Sequence, residues 1–166
     1  IKYLKGDLNN LNLIKNKIEI FNPEILIHLA WEGIPDFSKN ISKKNYSNSM
    51  KLIKFINKKT RIKKIIISGS CFEKKKSEKF KTFFSKYKNN LLVKVRKLSK
   101  NNKISFLWLR LFYVYGEKQK SSSLLPSVFK SLKKGNTIKL QKPFHRNDFI
   151  HLDDVIEAVV KSIKLR

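Results

Sequence analysis

Short apolar runs alternate along the chain with longer stretches whose apolar residues recur every three or four positions. Glu24-Ile25-Leu26-Ile27-His28-Leu29-Ala30 is such a run, Lys64-Ile65-Ile66-Ile67-Ser68 is a second that ends at Gly69, and Ile104 to Leu111 is a third. Continuous apolar strands of this kind suit a parallel sheet covered on both faces. Ile1 to Asp7 reads as a further strand running into a turn. Helical spacing marks Leu8–Phe21 (Leu11, Ile14, Ile18, Phe21), Asn45–Lys58 (Met50, Leu52, Ile53, Ile56) and Phe84–Asn101 (Leu91, Leu92, Val95, Leu98). Two more helices are predicted over Ser122–Lys134 and Asp153–Leu165, the last with Asp153 as its N-cap. Asn40–Asn48 and Glu73–Lys81 read as loops. Strand, helix, strand, helix predicts a doubly wound α/β fold with a parallel, Rossmann-like sheet.

At 166 residues with 41% hydrophobic content, the chain is long enough for one domain and too short for two. It does not begin with Met and opens in mid-pattern, which predicts a fragment of a longer protein. No run approaches the roughly 18 apolar residues of a membrane span, and no secretory leader opens the sequence. Cys71 is the one cysteine, so no disulfide framework or multi-cysteine metal site is expected. A cytoplasmic, reducing location is expected.

Charge changes the picture more. There are 38 Lys and Arg against 12 Asp and Glu, a net charge of +26. Nucleic-acid binding is one reading of such a surface. The other is a genome biased toward Lys, Asn and Ile codons, because the excess is mostly Lys and scattered, and its longest run, Lys74-Lys75-Lys76, falls in a loop. Nucleic acid is therefore expected only as a non-specific partner. Either way, the surface favours anionic ligands.

In open α/β sheets, ligands bind beyond the carboxyl ends of the strands. The residues that follow each predicted strand are Gly6-Asp7-Leu8, His28-Leu29-Ala30-Trp31-Glu32-Gly33, Ser68-Gly69-Ser70-Cys71 and Arg110-Leu111-Phe112-Tyr113-Val114-Tyr115-Gly116; Arg146 to Val155 stands near the end. In order and spacing these blocks resemble those of the NAD-dependent epimerase/dehydratase family (extended short-chain dehydrogenases/reductases), which modifies sugar nucleotides. The resemblance covers nearly the whole chain. It implies an NAD or NADP cofactor, a nucleotide-sugar substrate and a homodimer joined through the helices at Asn45–Lys58 and Phe84–Asn101, a pairing that Lys-rich exposed faces on those helices would argue against.

The resemblance also implies site residues. Asp7 and Leu8 resemble the family's adenine contact, and Leu29, Ala30 and Trp31 its strand end along the cofactor's pyrophosphate and ribose. Asn45, Ser68 and Phe112 fall beside the cofactor. Ser70 takes the place of the Ser or Thr that assists catalysis. Cys71, Tyr113 and Arg146 fall where substrate is contacted. Lys88 takes the lysine place of the catalytic Tyr-x-x-x-Lys pair, as catalytic and ribose-holding residue. His28 and His151 read as structural, and Asp153-Asp154 as a helix start rather than a metal site, so no metal is expected.

Three departures accompany the resemblance. Gly6, Gly33, Gly69, Gly116 and Gly135 are the only glycines, and none approaches the spacing of a phosphate-cradling loop. The chain alone is thus expected to bind NAD(P) weakly or not at all. An upstream piece bearing the loop, and most of a C-terminal substrate domain, are expected to be missing, the substrate part beginning near 117–150. Phe84 stands four residues before Lys88, where the family has Tyr. A second register pairs Lys86 with Thr82, and neither gives the full pair. Finally, Tyr113 stands where many relatives have Asn. The chain therefore reads either as a redox enzyme scaffold lacking its phenol or as a non-catalytic binding protein.

Overall fold

The computed structural model describes residues 3–73, 82–138, 140, 143, 144 and 146–165. The loop expected over Glu73–Lys81 lies outside the described residues beyond Glu73. The chain divides into two compact units, 1–110 with 162–166, and 111–161.

The first unit is an α/β layer. A 3-10 helix (Leu8–Leu13) is followed by α1 (Lys15–Phe21), β1 (Ile25–His28), α2 (Lys39–Lys59), β2 (Lys64–Ser70), α3 (Phe83–Asn101) and β3 (Ser105–Leu111). The sheet order is β1-β2-β3. β1 runs parallel to β2, with Ile25 opposite Lys64 and His28 opposite Ile67. Every residue of β2 is buried. Ile65 and Ile67 join Leu52, Ile53 and Ile56 of α2 and Leu91 and Val95 of α3 in one core. Alternation along a strand puts Ile66 on the opposite face, where it is also fully buried. Lys64, on that second face, has its ammonium donating to the main-chain carbonyls of Ile163, at 3.1 Å, and Leu165. A cation suits a helix C-terminus, where carbonyls lack intrahelical partners.

Several elements differ from the sequence reading. Tyr3–Asp7 forms no strand, and Tyr3 is 91% exposed. The predicted helix 8–21 is broken: Asn10 has φ −128° and ψ 66°, and a 3-10 turn precedes a short α-helix. α2 begins at Lys39 and so takes in the whole stretch Asn40–Asn48 expected to be a loop. Ser38 caps it, its hydroxyl accepting from Ile41 N–H, and Ser42, Asn45 and Ser49 form the buried face of its N-terminal half, ahead of Leu52, Ile53 and Ile56. Polar composition concealed that helix because its inward positions are themselves polar. The expected cover on both faces fails at β1, where Ile25 and Ile27 are exposed, as is Leu29 just after it, and only His28 is buried.

The second unit holds β4 (Tyr113–Tyr115), α4 (Leu124–Lys133), β5 (Phe149–His151) and α5 (Leu152–Lys164), whose last turn belongs to the first unit. The parallel pair β4–β5, absent from the sequence reading, aligns Tyr113 with Phe149 and Tyr115 with His151. Their rings meet at 5.6 and 5.2 Å. α5 starts at Leu152, so Asp153 and Asp154 occupy its first turn rather than its cap and complement the helix dipole from there. No described helix is long and apolar enough to cross a membrane.

Ile53 has no exposed surface and sits between the two long helices and the sheet. Ile53→Ala is expected to lower unfolding free energy by about 2–5 kcal/mol. Its exposed neighbour Lys54→Ala should shift it by no more than about 0.5 kcal/mol. Urea denaturation followed by circular dichroism measures both.

Candidate active site at the strand ends

The carboxyl ends of β1 and β2 gather the candidate residues of the first unit. A cleft of about 270 Å³ is lined by Gly6, Asp7, Leu8, Asn9, Ala30, Trp31, Glu32, Asn45, Asn48 and Ser49. Five residues expected beside a cofactor, Asp7, Leu8, Ala30, Trp31 and Asn45, thus share one wall. Leu29 and Ser68 do not line it; Leu29 points to solvent, 53% exposed. The volume suits a nucleoside portion of a ligand and lies just under the range of drug-sized pockets.

Local hydrogen bonding explains how the cleft is held. The Asp7 carboxylate accepts from both the backbone and side-chain N–H of Asn9, at 2.8 Å each, and so caps the 3-10 helix. Asn45 is buried and clamps the loop after β1. Its Oδ1 accepts from Glu32 N–H at 2.9 Å, and its Nδ2 donates to the carbonyls of Glu32 (3.0 Å) and Ile41 (2.9 Å). Both amide hydrogens are committed, so Asn45 shapes the cleft through the loop. The indole N–H of Trp31 is buried and has no acceptor among the described residues. A ligand oxygen is the chemistry that donor lacks.

Beneath the cleft lies His28, 4% exposed, with Nε2 2.8 Å from Ser49 Oγ. Burial, aided by the nearby Lys88 charge, lowers its pKa to about 4. The ring is neutral at physiological pH and serves as core, as read from the sequence.

Lys88 decides between the two registers left open by the sequence. Its side chain is buried, its Nζ donates to the Ser68 carbonyl at 2.8 Å, and the ammonium stands 4.3 Å from the Trp31 ring centroid and 6.0 Å from that of Trp108. Lys86, by contrast, is exposed, and Thr82 is spent as the N-cap of α3, accepting from Ser85 N–H at 3.1 Å. Lys88 with Phe84 is therefore the pair that faces inward. Burial brings the Lys88 pKa down to about 8, with the Glu73 carboxylate opposing the shift. Phe84 is 4% exposed and packs among Trp31, Phe37 and Phe72, with centroids at 5.5, 5.1 and 6.5 Å.

Ser70, at the end of β2, is buried, and its hydroxyl accepts from Phe72 N–H at 3.2 Å, leaving its own proton to offer a ligand. Cys71 is half-buried and, as the one cysteine of the sequence, forms no disulfide within the chain. Phe112, Tyr113 and Arg146 belong to the second unit: Phe112 and Arg146 are exposed, and Tyr113 is half-buried in β4.

Sequence reasoning passed over Glu73. Its side chain has no exposed surface, yet it is a carboxylate three residues from Ser70, accepting from Ser70 N–H at 2.8 Å and Trp108 Nε1 at 2.7 Å. The available signal was a lone acid immediately after a strand end, in a chain where acids are scarce.

The family model for the NAD dependent epimerase/dehydratase family matches residues 2–165. The chain belongs to this family. Over 61 residues, 37% of this chain and 21% of the relative, it is 38% identical to CDP-abequose synthase of Salmonella muenchen. Among solved structures it resembles the UDP-glucose 4-epimerase of Thermotoga maritima with UDP-glucose, with a TM-score of 0.80 at 15% identity, covering 97% of this chain and 58% of that one. It also resembles the UDP-N-acetylglucosamine 4-epimerase of Methanobrevibacter ruminantium in complex with UDP-N-acetylmuramic acid (0.77, 20% identity, 95% and 56% covered). A third is the UDP-glucose 4-epimerase of Thermus thermophilus in complex with NAD (0.74, 15% identity, 100% and 61% covered). At these identities the likeness is one of fold, and the chain spans somewhat over half the length of these structures.

The buried His28 generates a pH dependence. The unfolded chain takes up a proton on His28 near the ordinary value of 6.5, the folded chain only near 4. Stability from this group is therefore intact above about pH 6.5 and lost as pH falls toward about 4. Between about pH 7 and pH 4, the native chain should lose on the order of 3 kcal/mol more than His28→Gln. Denaturant titrations of both proteins at several pH values give the difference.

Proposed function

We propose that the chain is the cofactor-facing core of an NAD- or NADP-linked epimerase, dehydratase or reductase acting on a nucleotide-activated sugar, in which proton transfer through a phenol has been lost. The observation that carries this reading is the inward-facing pair of Phe84 and Lys88. A buried ammonium on a strand-end carbonyl, one helical turn from an aromatic ring, is the arrangement that would hold a phenol at a lowered pKa. Family membership and the sugar nucleotides bound by the similar structures support the substrate class.

The cleft lined by Asp7, Leu8, Ala30 and Trp31 would hold the nucleoside end of the cofactor, with the Trp31 N–H, which has no acceptor among the described residues, available to one of its oxygens. Bound nicotinamide would supply the hydride acceptor. Ser70 would donate its hydroxyl hydrogen to the reacting sugar oxygen, and Lys88 would hold the ribose. Cys71, Tyr113 and Arg146 would contact the substrate. At the position facing Lys88 no group takes the sugar's hydroxyl proton: Phe84 has no oxygen, and a lysine that is mostly protonated at neutral pH is a weak substitute.

A second reading, a binding protein without turnover, is favoured by the packing around Phe84, where three aromatic rings enclose the position. The symmetric pairing through α2 and α3 is not part of either reading. Those helices expose Lys43, Lys44, Lys51, Lys54, Lys94, Arg96 and Lys97, and an isologous interface would set these charges against their own copies.

Phe84→Tyr separates the readings. In a full-length protein that carries this chain, turnover of UDP-, CDP- and dTDP-hexoses with NAD or NADP, followed by nicotinamide absorbance and product chromatography, should be at background with Phe84 in place. It should rise at least about tenfold in the variant. Binding without turnover in both proteins would establish the non-catalytic reading. Absence of nucleotide-sugar binding in both, by calorimetry, would overturn the proposal.

A further inference from the structure

The turn that ends β2 is built around one buried carboxylate. Glu73 Oε1 accepts from Ser70 N–H at 2.8 Å; Oε2 accepts from the Trp108 indole at 2.7 Å and faces Arg110 Nε at 3.4 Å. Glu73 N–H in turn donates to the Ser70 carbonyl at 3.2 Å, and Phe72 N–H to the Ser70 hydroxyl at 3.2 Å. An ionised carboxylate with no exposed side-chain surface is costly unless several donors converge on it. Here they do, and they come from two different strands. Trp108 reaches Glu73 across β2 only because residue 69 is glycine: a Cβ there would lie 2.1 Å from Trp108 Nε1. Gly69, Trp108 and Glu73 thus form one device, and its far side, the Trp108 ring, lies 6.0 Å from the Lys88 ammonium.

We propose that Glu73 is a positioning residue for the Ser70–Lys88 pair, fixing the turn that presents the Ser70 hydroxyl and bracing the Trp108 indole beside the Lys88 ammonium. The assignment rests on the reading above, in which those two side chains are the reactive ones. It goes beyond that reading by giving a role to a residue that touches neither cofactor nor sugar. Three roles converge in one group. The first is geometric: the Ser70 N–H bond and the two bonds back to Ser70 hold the turn in a single conformation. The second is steric: the indole, fastened at its nitrogen, leaves Lys88 one place to lie, against Trp31 and the Ser68 carbonyl. The third is electrostatic. Among the described residues, the titratable groups around Lys88 are Glu73, Arg110 beside Glu73, and His28, which is neutral at physiological pH; of these Glu73 carries the negative charge and favours the protonated lysine.

The test is Glu73→Gln, read by NMR without any ligand. The amide keeps the shape and one acceptor, and removes the charge and the second acceptor. Three signals are followed: the Lys88 ε-carbon through a pH titration, assigned by its loss in Lys88→Met; the Trp108 indole N–H; and the Ser70 amide. The expected result is a Lys88 midpoint lowered by at least about half a pH unit. Trp108 indole hydrogen exchange should accelerate at least about tenfold, and the Ser70 amide should move, while the core amides of Ile66 and Val95 stay as they were. A lower melting temperature with the Lys88 midpoint and Trp108 exchange unchanged would mean a purely structural role and overturn the proposal. If Glu73→Gln does not fold, Trp108→Phe carries the test, because it keeps the carboxylate and removes one donor. Joint movement of Lys88 and Ser70 supports the bracing role, and movement of neither overturns it. Titration of the same samples with UDP-glucose keeps the two readings apart. Signals that respond to Glu73→Gln in a protein that binds no nucleotide sugar leave the positioning role standing and remove the proposed function.

Discussion

A strand with no exposed residue governs this molecule. β2 is covered along its whole length, so every side chain from Lys64 to Ser70 must be either apolar or satisfied where it lies. The isoleucines satisfy that condition by packing against the long helices on one face and by burial on the other. The polar residues satisfy it by bonding: Lys64 with the carbonyls at the end of α5, the Ser68 carbonyl with Lys88, and Ser70 with Glu73 and Phe72. The polar chemistry at the end of the strand follows from its burial in the middle. Groups that water would otherwise serve have been given fixed protein partners, and fixed partners are what hold reactive groups in place.

The same condition explains the state of Lys88. A buried ammonium normally leans on a carboxylate. Here its hydrogen-bond partner is a backbone carbonyl, and an indole face lies close by, with the Glu73 charge further off on the other side of Trp108. Such an environment tolerates the charge without neutralising it, which suits a residue meant to act on a neighbour. The neighbour is a phenylalanine. The buried ammonium and the enclosed ring thus lie one helical turn apart on the inward face of α3.

How much of this was legible beforehand depended on the physical signal each part carries. The β-branched run at Lys64–Ser68 and the helical spacing of Phe84–Asn101 are apolar patterns, and both elements formed where the pattern placed them. α2 was half hidden because its buried face, Ser42, Asn45 and Ser49, is polar; only Ser38, a good capping residue, hinted at its true start. β4 and β5 have three residues each, too few for any period to register. The cleft residues Asp7, Leu8, Ala30, Trp31 and Asn45 were named beforehand through the family resemblance, the first four also because they follow predicted strands. That Asn45 would act through Glu32, and that Lys88 rather than Lys86 would turn inward, are matters of three-dimensional direction that spacing alone left open. Glu73 escaped notice for a related reason: its partners lie on another strand, 35 residues away at Trp108.

One further consequence follows from where the indoles lie. The chain has two tryptophans, and both, Trp31 and Trp108, stand against the same ammonium. Nearly all of the protein's long-wavelength ultraviolet emission therefore originates within a few ångströms of one lysine. A cation near an indole alters its excited state, and so does the entry or exit of water or a nucleobase. The chain thus carries a built-in optical probe of its own strand-end site, with no background from tryptophans elsewhere in the fold.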